Sequence, residues 1–155
     1  MLIDLGFASS ECFADEGVET PEGWRSLDLI GIPLLKVDGE PVYNRIPFST
    51  RHAEAAHRLA LELGIRGEIG PFLTVSTCSG TLARGEELLR RFPGICENME
   101  GAAVAQAALL HGTDFLEVRG VSNLVEERDL SRWDIPRAVE QAQRFLLCYL
   151  ERTPS

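Results

Sequence analysis

The 155-residue sequence predicts an α/β layer fold. Three observations carry that expectation: short apolar or β-branched runs, longer stretches with apolar residues at helical spacing, and alternation of the two along the chain. In order, Leu2 to Ser9 (LIDLGFAS) reads as the first strand. An acidic loop is expected from Glu11 through Gly23, with Pro21 and two glycines as turn signals. Residues 31–48 carry Pro33, Pro41 and Pro47 around an Asp38-Gly39 turn, which reads as irregular chain or a β-hairpin. Ser49 is a candidate cap for the next helix, whose Ala53, Ala56, Ala60 and Leu63 share a face and whose C-terminal cap is Gly64.

Phe72 to Thr77 (FLTVST) is the next strand, rich in β-branched residues. Leu82 to Arg91 is helical and stops before Pro93. Met99 to Leu110 is almost entirely small or apolar, which predicts a helix buried on most sides. Asp114 to Val121 (DFLEVRGV) gives a further strand. The last helix starts with Asp134 as cap and Pro136 in its first turn, and its apolar face is Val139, Ala142, Phe145, Leu146, Tyr149 and Leu150. With no repeat, low-complexity tract or linker, one domain over residues 1–155 is expected.

Composition excludes several classes. The net charge is −9 with no basic run, so nucleic acid and anionic membranes are not expected partners. No stretch approaches the roughly 20 apolar residues of a membrane-spanning helix. The opening Met1 to Gly6 lacks the basic region of a secretion signal. Cys12, Cys78, Cys96 and Cys148 are widely spaced, without a CxxC pair, so free thiols in a reducing cytoplasm are expected, and neither a metal site nor a cofactor.

Three features carry chemistry. Glu100 opens an apolar helix directly behind Met99; it reads either as a plain helix-start carboxylate or as an acceptor for a vicinal diol. Arg119 to Asn123 (RGVSN) ends an apolar strand, where either turn chemistry or a ligand site is expected. Thr74 to Thr81 (TVSTCSGT) is a hydroxyl-dense strand end that lacks the GK[ST] element of a P-loop. Glu11, Asp15, Glu16 and Glu19 read as a solvated acidic loop. His52, His57 and His111 lie in no catalytic motif; His52 with Arg45 or Arg51 is a minor candidate for meeting an anionic substituent of a ligand.

Met-Glu-Gly-Ala-Ala at 99–103, followed after an Ala-rich helix by Arg119-Gly-Val-Ser-Asn123, resembles the nucleoside phosphorylase and nucleosidase superfamily. Within it, ENMEGAAVA, VRGVSN and SSECFADEGVETPEGW are most similar to the futalosine hydrolases of an alternative menaquinone pathway. The resemblance implies a three-layer α/β/α sandwich with a central mixed sheet. It also implies that this sequence starts after the family's first strands, without their Gly-rich segments and water-activating carboxylate.

By the same resemblance, Met99 packs beneath a ribose and Glu100 holds its hydroxyls. Asn123 faces N7 of the purine, Arg119 and Ser122 position Asn123, and Thr77 and Cys78 border the base. An amide cannot deliver a proton but can donate to O6 or N7, which suits a 6-oxopurine such as hypoxanthine. The expected partners are a small purine nucleoside and other copies of the chain, as a homo-oligomer, since the acidic loop lies near a dimer contact in relatives. The implied reaction is hydrolysis of the N-ribosidic bond of futalosine. The alternatives are a phosphorylase, a nucleosidase of the methylthioadenosine/S-adenosylhomocysteine type, or a nucleoside-binding remnant without activity.

Overall fold

The computed structural model describes residues 2–152. Strand β1 (Leu5–Phe13) is followed by two hairpins, β2 (Val18–Thr20) with β3 (Gly23–Arg25) and β4 (Leu35–Val37) with β5 (Glu40–Val42). Then come β6 (Arg45–Pro47), α1 (Arg51–Glu62), β7 (Gly67–Thr74), α2 (Leu82–Arg91), β8 (Cys96–Asn98), α3 (Gly101–Leu110), β9 (Val118–Gly120) and α4 (Ile135–Arg152).

The central sheet is mixed. β1 runs parallel to β7, and β7 parallel to β8. The other edge of β1 pairs antiparallel with β6 along Ser10–Cys12 and with β9 along Leu5–Phe7. β6 is at that edge, where the missing N–H of Pro47 costs no ladder bond.

Helices cover both faces, giving the α/β/α sandwich. Leu5 and Phe7 pack with Ala53, Ala56, Leu59 and Ala60 of α1 and Phe145 of α4. Further along the same face, Leu73 and Cys12 meet Leu88 of α2. The opposite face carries α3, where Thr74 accepts a bond from Ala102 and Ala105 packs with Leu35 and Ile46. Burying a side chain such as Phe7 contributes roughly 1.5–3 kcal/mol, so Phe7, with its ring edge-on to both His57 and Phe145, anchors the α1/α4 face.

One irregularity in β1 matters for function. Side chains in a strand alternate faces with period two, so Phe7 and Glu11 would share a face in a regular strand. The pairing with β7 shifts register between Ala8 and Ser10, and the two side chains end on opposite faces. Phe7 meets α1 and α4, whereas Glu11 lies under the start of α3. A β-bulge of this kind re-aims every side chain beyond it.

Several boundaries differ from the sequence expectation. The first strand spans Leu5–Phe13 rather than Leu2 to Ser9, so Glu11 and Cys12 belong to the sheet. The expected acidic loop contains the β2–β3 hairpin. Residues 31–48 do form a hairpin, with Asp38 and Gly39 both at positive φ as a two-residue turn requires. α1 starts at Arg51 with Thr50 as cap residue, and Gly64 at φ +70 follows its end. β7 starts earlier and ends at Thr74, leaving Thr77 beyond the strand, and β9 keeps only the end of the expected Asp114 to Val121.

α3 is not buried on most sides. Gly101, Ala102 and Ala105 face the sheet, while Val104 and Leu110 are exposed. On α4, Ala138 and Phe145 are buried, but Val139, Leu146 and Leu150 of the expected face are exposed. Small residues let α3 approach the sheet closely on one side; apolarity elsewhere on a helix does not by itself create a cover. No helix among the described residues is long and apolar enough to cross a membrane.

Candidate active site

The start of α3 is built so that its own carboxylate is spare. A helix begins with free backbone N–H groups, which a side chain of the cap residue usually accepts. Glu100 is the cap residue and makes no such bond. Asn98 does it instead: its Oδ1 accepts from the backbone N–H of Glu100 at 3.0 Å and of Gly101 at 2.7 Å. Thr74 Oγ1 accepts from Ala102 N at 2.8 Å. The Glu100 side chain, 64% exposed, is left with one partner among the described residues, Arg119 Nη2 at 3.0 Å. Glu100 thus stands at the helix start without capping it.

Gly101 is glycine for a reason of space. A Cβ there would overlap carboxylate oxygens of both Glu11 and Glu117. Next to Glu100, Met99 is half exposed, and its Sδ lies 3.1 Å from Cys78 Sγ. Cys78 follows the end of β7, so the loops after the parallel strands β7 and β8 meet at Met99, as ligand sites in such sheets do.

A cleft of about 540 Å³ adjoins this point. Cys78, Arg119, Ser122 and Asn123 line it together with Ser79, Cys96, Glu97 and Trp133. Ser122 Oγ donates to Asn123 Oδ1 at 2.6 Å, and Asn123 Nδ2 donates to the carbonyl of Leu124 at 2.8 Å. The Ser122 hydroxyl thus holds the Asn123 amide, and one of its two N–H groups is engaged by Leu124. Arg128 lies over the Trp133 ring at 4.9 Å on the same wall.

Not every expected site residue joins the cleft. Thr77 is exposed and is not part of the lining, because β7 ends three residues before it. Arg119 lines the cleft but does not position Asn123; its guanidinium joins Glu117 at 2.6 Å and Glu100 at 3.0 Å. Burial works against the charge on Arg119, and the bonds to Glu117 and Glu100 more than offset it, holding its pKa above the ordinary value. Arg51 and His52 both turn to Asp114, and Arg45 donates to Ser10 Oγ, so these cations do not converge on one site.

Behind Glu100 lies a polar core that the sequence did not announce. Glu11 is 0% exposed, not a solvated loop residue. Its Oε2 accepts from Thr74 Oγ1 at 2.7 Å and its Oε1 from Asn98 Nδ2 at 3.0 Å. Burial, with the adjoining Glu117 carboxyl, pushes its pKa up to about 8. Asp15 accepts from Ser76 N at 2.7 Å, and burial raises the pKa of Glu16, so the acidic segment is only partly a solvated face.

Asn98 was findable, since an asparagine before an apolar helix is a capping signal. Glu11 and Glu117 were not. Cys12 and Cys96 have thiols pushed up to about 12 by burial, which removes both as nucleophiles; all four cysteines are unpaired, and Cys78 is exposed.

Residues 3–151 match the phosphorylase superfamily. The chain is 37% identical over 142 residues to a futalosine hydrolase of Acidothermus cellulolyticus, covering 90% of this chain and 54% of that protein. It is 33% identical to the futalosine hydrolase of Thermus thermophilus, covering 84% of this chain and 56% of the relative. The chain thus spans about half the length of these relatives. Among solved structures, the futalosine hydrolase of Helicobacter pylori superposes with a TM-score of 0.77 at 20% identity, over 99% of this chain and 62% of the other. The 5′-methylthioadenosine/S-adenosyl homocysteine nucleosidase of the same organism gives 0.76 at 20% identity, with the same coverage. The match over nearly the whole described length, together with this fold, shows that the chain belongs to the phosphorylase superfamily.

Proposed function

We propose that the chain binds a purine nucleoside and hydrolyses its N-ribosidic bond, with futalosine as substrate and hypoxanthine as the released base. The observation that carries this reading is the carboxylate of Glu100. It is relieved of capping by Asn98, exposed, and bonded to Arg119, which itself lines the cleft that contains Asn123. The 37% identity to a futalosine hydrolase supports the choice of substrate.

In this reading Glu100 accepts hydrogen bonds from the two sugar hydroxyls while Met99 packs beneath the ring. Cleavage builds positive charge on the sugar, so those bonds tighten toward the transition state. Asn123 donates its remaining N–H to O6 or N7 of the base, with Ser122 fixing its orientation and Cys78 bordering the base. Arg119 supports Glu100. Glu11 is enclosed and does not meet the attacking water. The protein acts in the cytoplasm, in menaquinone biosynthesis, as a homo-oligomer.

The test is to incubate the purified, folded chain with futalosine, with and without phosphate, and to resolve the products. Hypoxanthine and free sugar without phosphate are the expected result. A sugar 1-phosphate formed only with phosphate would reassign the reaction to phosphorolysis. No release under either condition would overturn activity of this chain. Comparable turnover of the 6-amino analogue would remove the role given to Asn123.

A further inference from the structure

Glu117 has one oxygen engaged and one not. Its Oε1 accepts from Arg119 Nε at 2.6 Å. Its Oε2 is buried and has no hydrogen-bond partner among the described residues, and the side chain is only 10% exposed. The free oxygen sits beneath Gly101, in the same space as Glu11 Oε1: a Cβ on Gly101 would overlap both. The two carboxyl groups thus adjoin each other across that space, and the neighbouring Glu117 carboxyl helps burial raise the Glu11 pKa. Two ionised carboxylates offer only acceptors and repel in a dry pocket, so such a contact becomes a bond only with a proton between them.

Among the described residues the neighbouring donors are directed elsewhere. The Thr74 hydroxyl lies between Glu11 Oε2 and Asn98 Oδ1, and the Asn98 amide donates to Glu11 Oε1. The backbone N–H groups of Glu100, Gly101 and Ala102 go to Asn98 and Thr74. The charged and titratable groups around the pair are Arg119 on β9, Glu100 at the start of α3, Glu97 and Cys96 on β8, Cys12 on β1 and Arg45 on β6. Arg119 is the cation in direct contact, and it is shared between Glu117 and Glu100.

We propose that Glu11 and Glu117 hold a single proton between them and that Glu117 is thereby a positioning residue: it fixes Arg119, and Arg119 fixes Glu100. The positioning role rests on the reading of Glu100 as the acceptor for sugar hydroxyls. The proton is taken up from solvent as the site folds and is not consumed in a reaction cycle. Burial and the adjoining carboxyl retain it up to pH about 8. Above that, the doubly charged pair separates, Arg119 follows Glu117, and Glu100 loses its support.

The test compares the wild type with Glu11→Gln and Glu117→Gln by two readouts on the same samples. One is thermal unfolding from mildly acidic pH through about 8. The other is calorimetric binding of a non-hydrolysable C-nucleoside with a hypoxanthine-like base over the same range. In the wild type, Tm and affinity both fall with rising pH, affinity by about tenfold, the scale of one pKa unit of coupling. Glu11→Gln puts a permanent N–H where the proton was, and both dependences disappear. Glu117→Gln loses the dependences too, but it takes the negative charge from Arg119 and binds several-fold more weakly at every pH.

A wild-type Tm without this slope, or a slope that survives in Glu11→Gln, overturns the shared proton. Glu117→Gln binding as tightly as the wild type overturns the positioning role. If no form binds the nucleoside while the Tm slopes behave as expected, the proton pair stands, and it is the reading of Glu100 that fails, with the positioning role.

Discussion

The two ends of β1 each bury a carboxylate, and the two are treated oppositely. Asp4, just before the strand, is 6% exposed and meets two cations: Arg66 at 3.0 Å and Arg137 at 2.9 Å. Those bonds, Arg66 foremost, hold its pKa down to about 2. Glu11, near the other end, meets Thr74, Asn98 and a second carboxyl, and its pKa is pushed up to about 8. One end is a charged staple joining β1 to Arg66 and α4; the other is a neutralised pocket under a helix start. Burial alone does not decide the state of a carboxyl group, because the partner decides it.

The difference gives opposite pH windows. The Asp4 pKa is depressed, so its stabilisation is present above the unfolded value and is lost as pH falls through about 2. The Glu11 pKa is raised, so the folded state binds the extra proton. Its contribution is present below the ordinary carboxyl range and declines as pH rises through about 8.

The sharpest way to break the comparison is Glu11→Ala, which empties a buried site and leaves the Thr74 hydroxyl and Asn98 amide without their acceptor. A loss of about 3–4 kcal/mol in a denaturant titration is expected; a loss under about 1 kcal/mol would mean water or repacking replaces the carboxyl.

Asp4→Asn should cost less, about 1–2 kcal/mol at neutral pH, because both arginines it leaves behind reach solvent. It should also remove part of the stability loss on acidification, read as a flatter Tm curve toward pH about 2. An unchanged acid limb would discount the staple.

Asn98→Ala removes the acceptor for two backbone N–H groups and should cost about 1–2 kcal/mol. Hydrogen exchange at the start of α3 should rise with it; unaltered protection there would show that another group caps the helix.

Glu100→Gln gives the smallest change in stability, within about 0.5 kcal/mol, since the side chain is mostly exposed. On the proposed reaction, kcat/KM should fall by the equivalent of about 1.5–3 kcal/mol, the worth of a hydrogen bond to a charged group. Equal kcat/KM for the two proteins would take Glu100 out of the site.

Much of the molecule was legible in order along the chain. The alternation of strands and helices, the Asp38-Gly39 turn, the span of α2 and the start of α4 all follow from local patterns. Those patterns report which elements form and which polar residues stand at their ends. They could not report that Arg119 would serve Glu100 rather than Asn123, since that choice depends on where β9 lies against β1.

The sequence by itself determined the fold class, the starts of α2 and α4 and the superfamily, because periodicity, capping chemistry and the MEGAA and RGVSN segments are local properties of the chain. Only the tertiary structure decided the fate of Glu11. A register shift against β7, which pairs Ala8 with Gly70 and Ser10 with Pro71, turns its side chain from the α1/α4 face to the foot of α3. Side-chain alternation carries no mark of a bulge, so the buried acid pair exists only once β1, β8, β9 and α3 have come together.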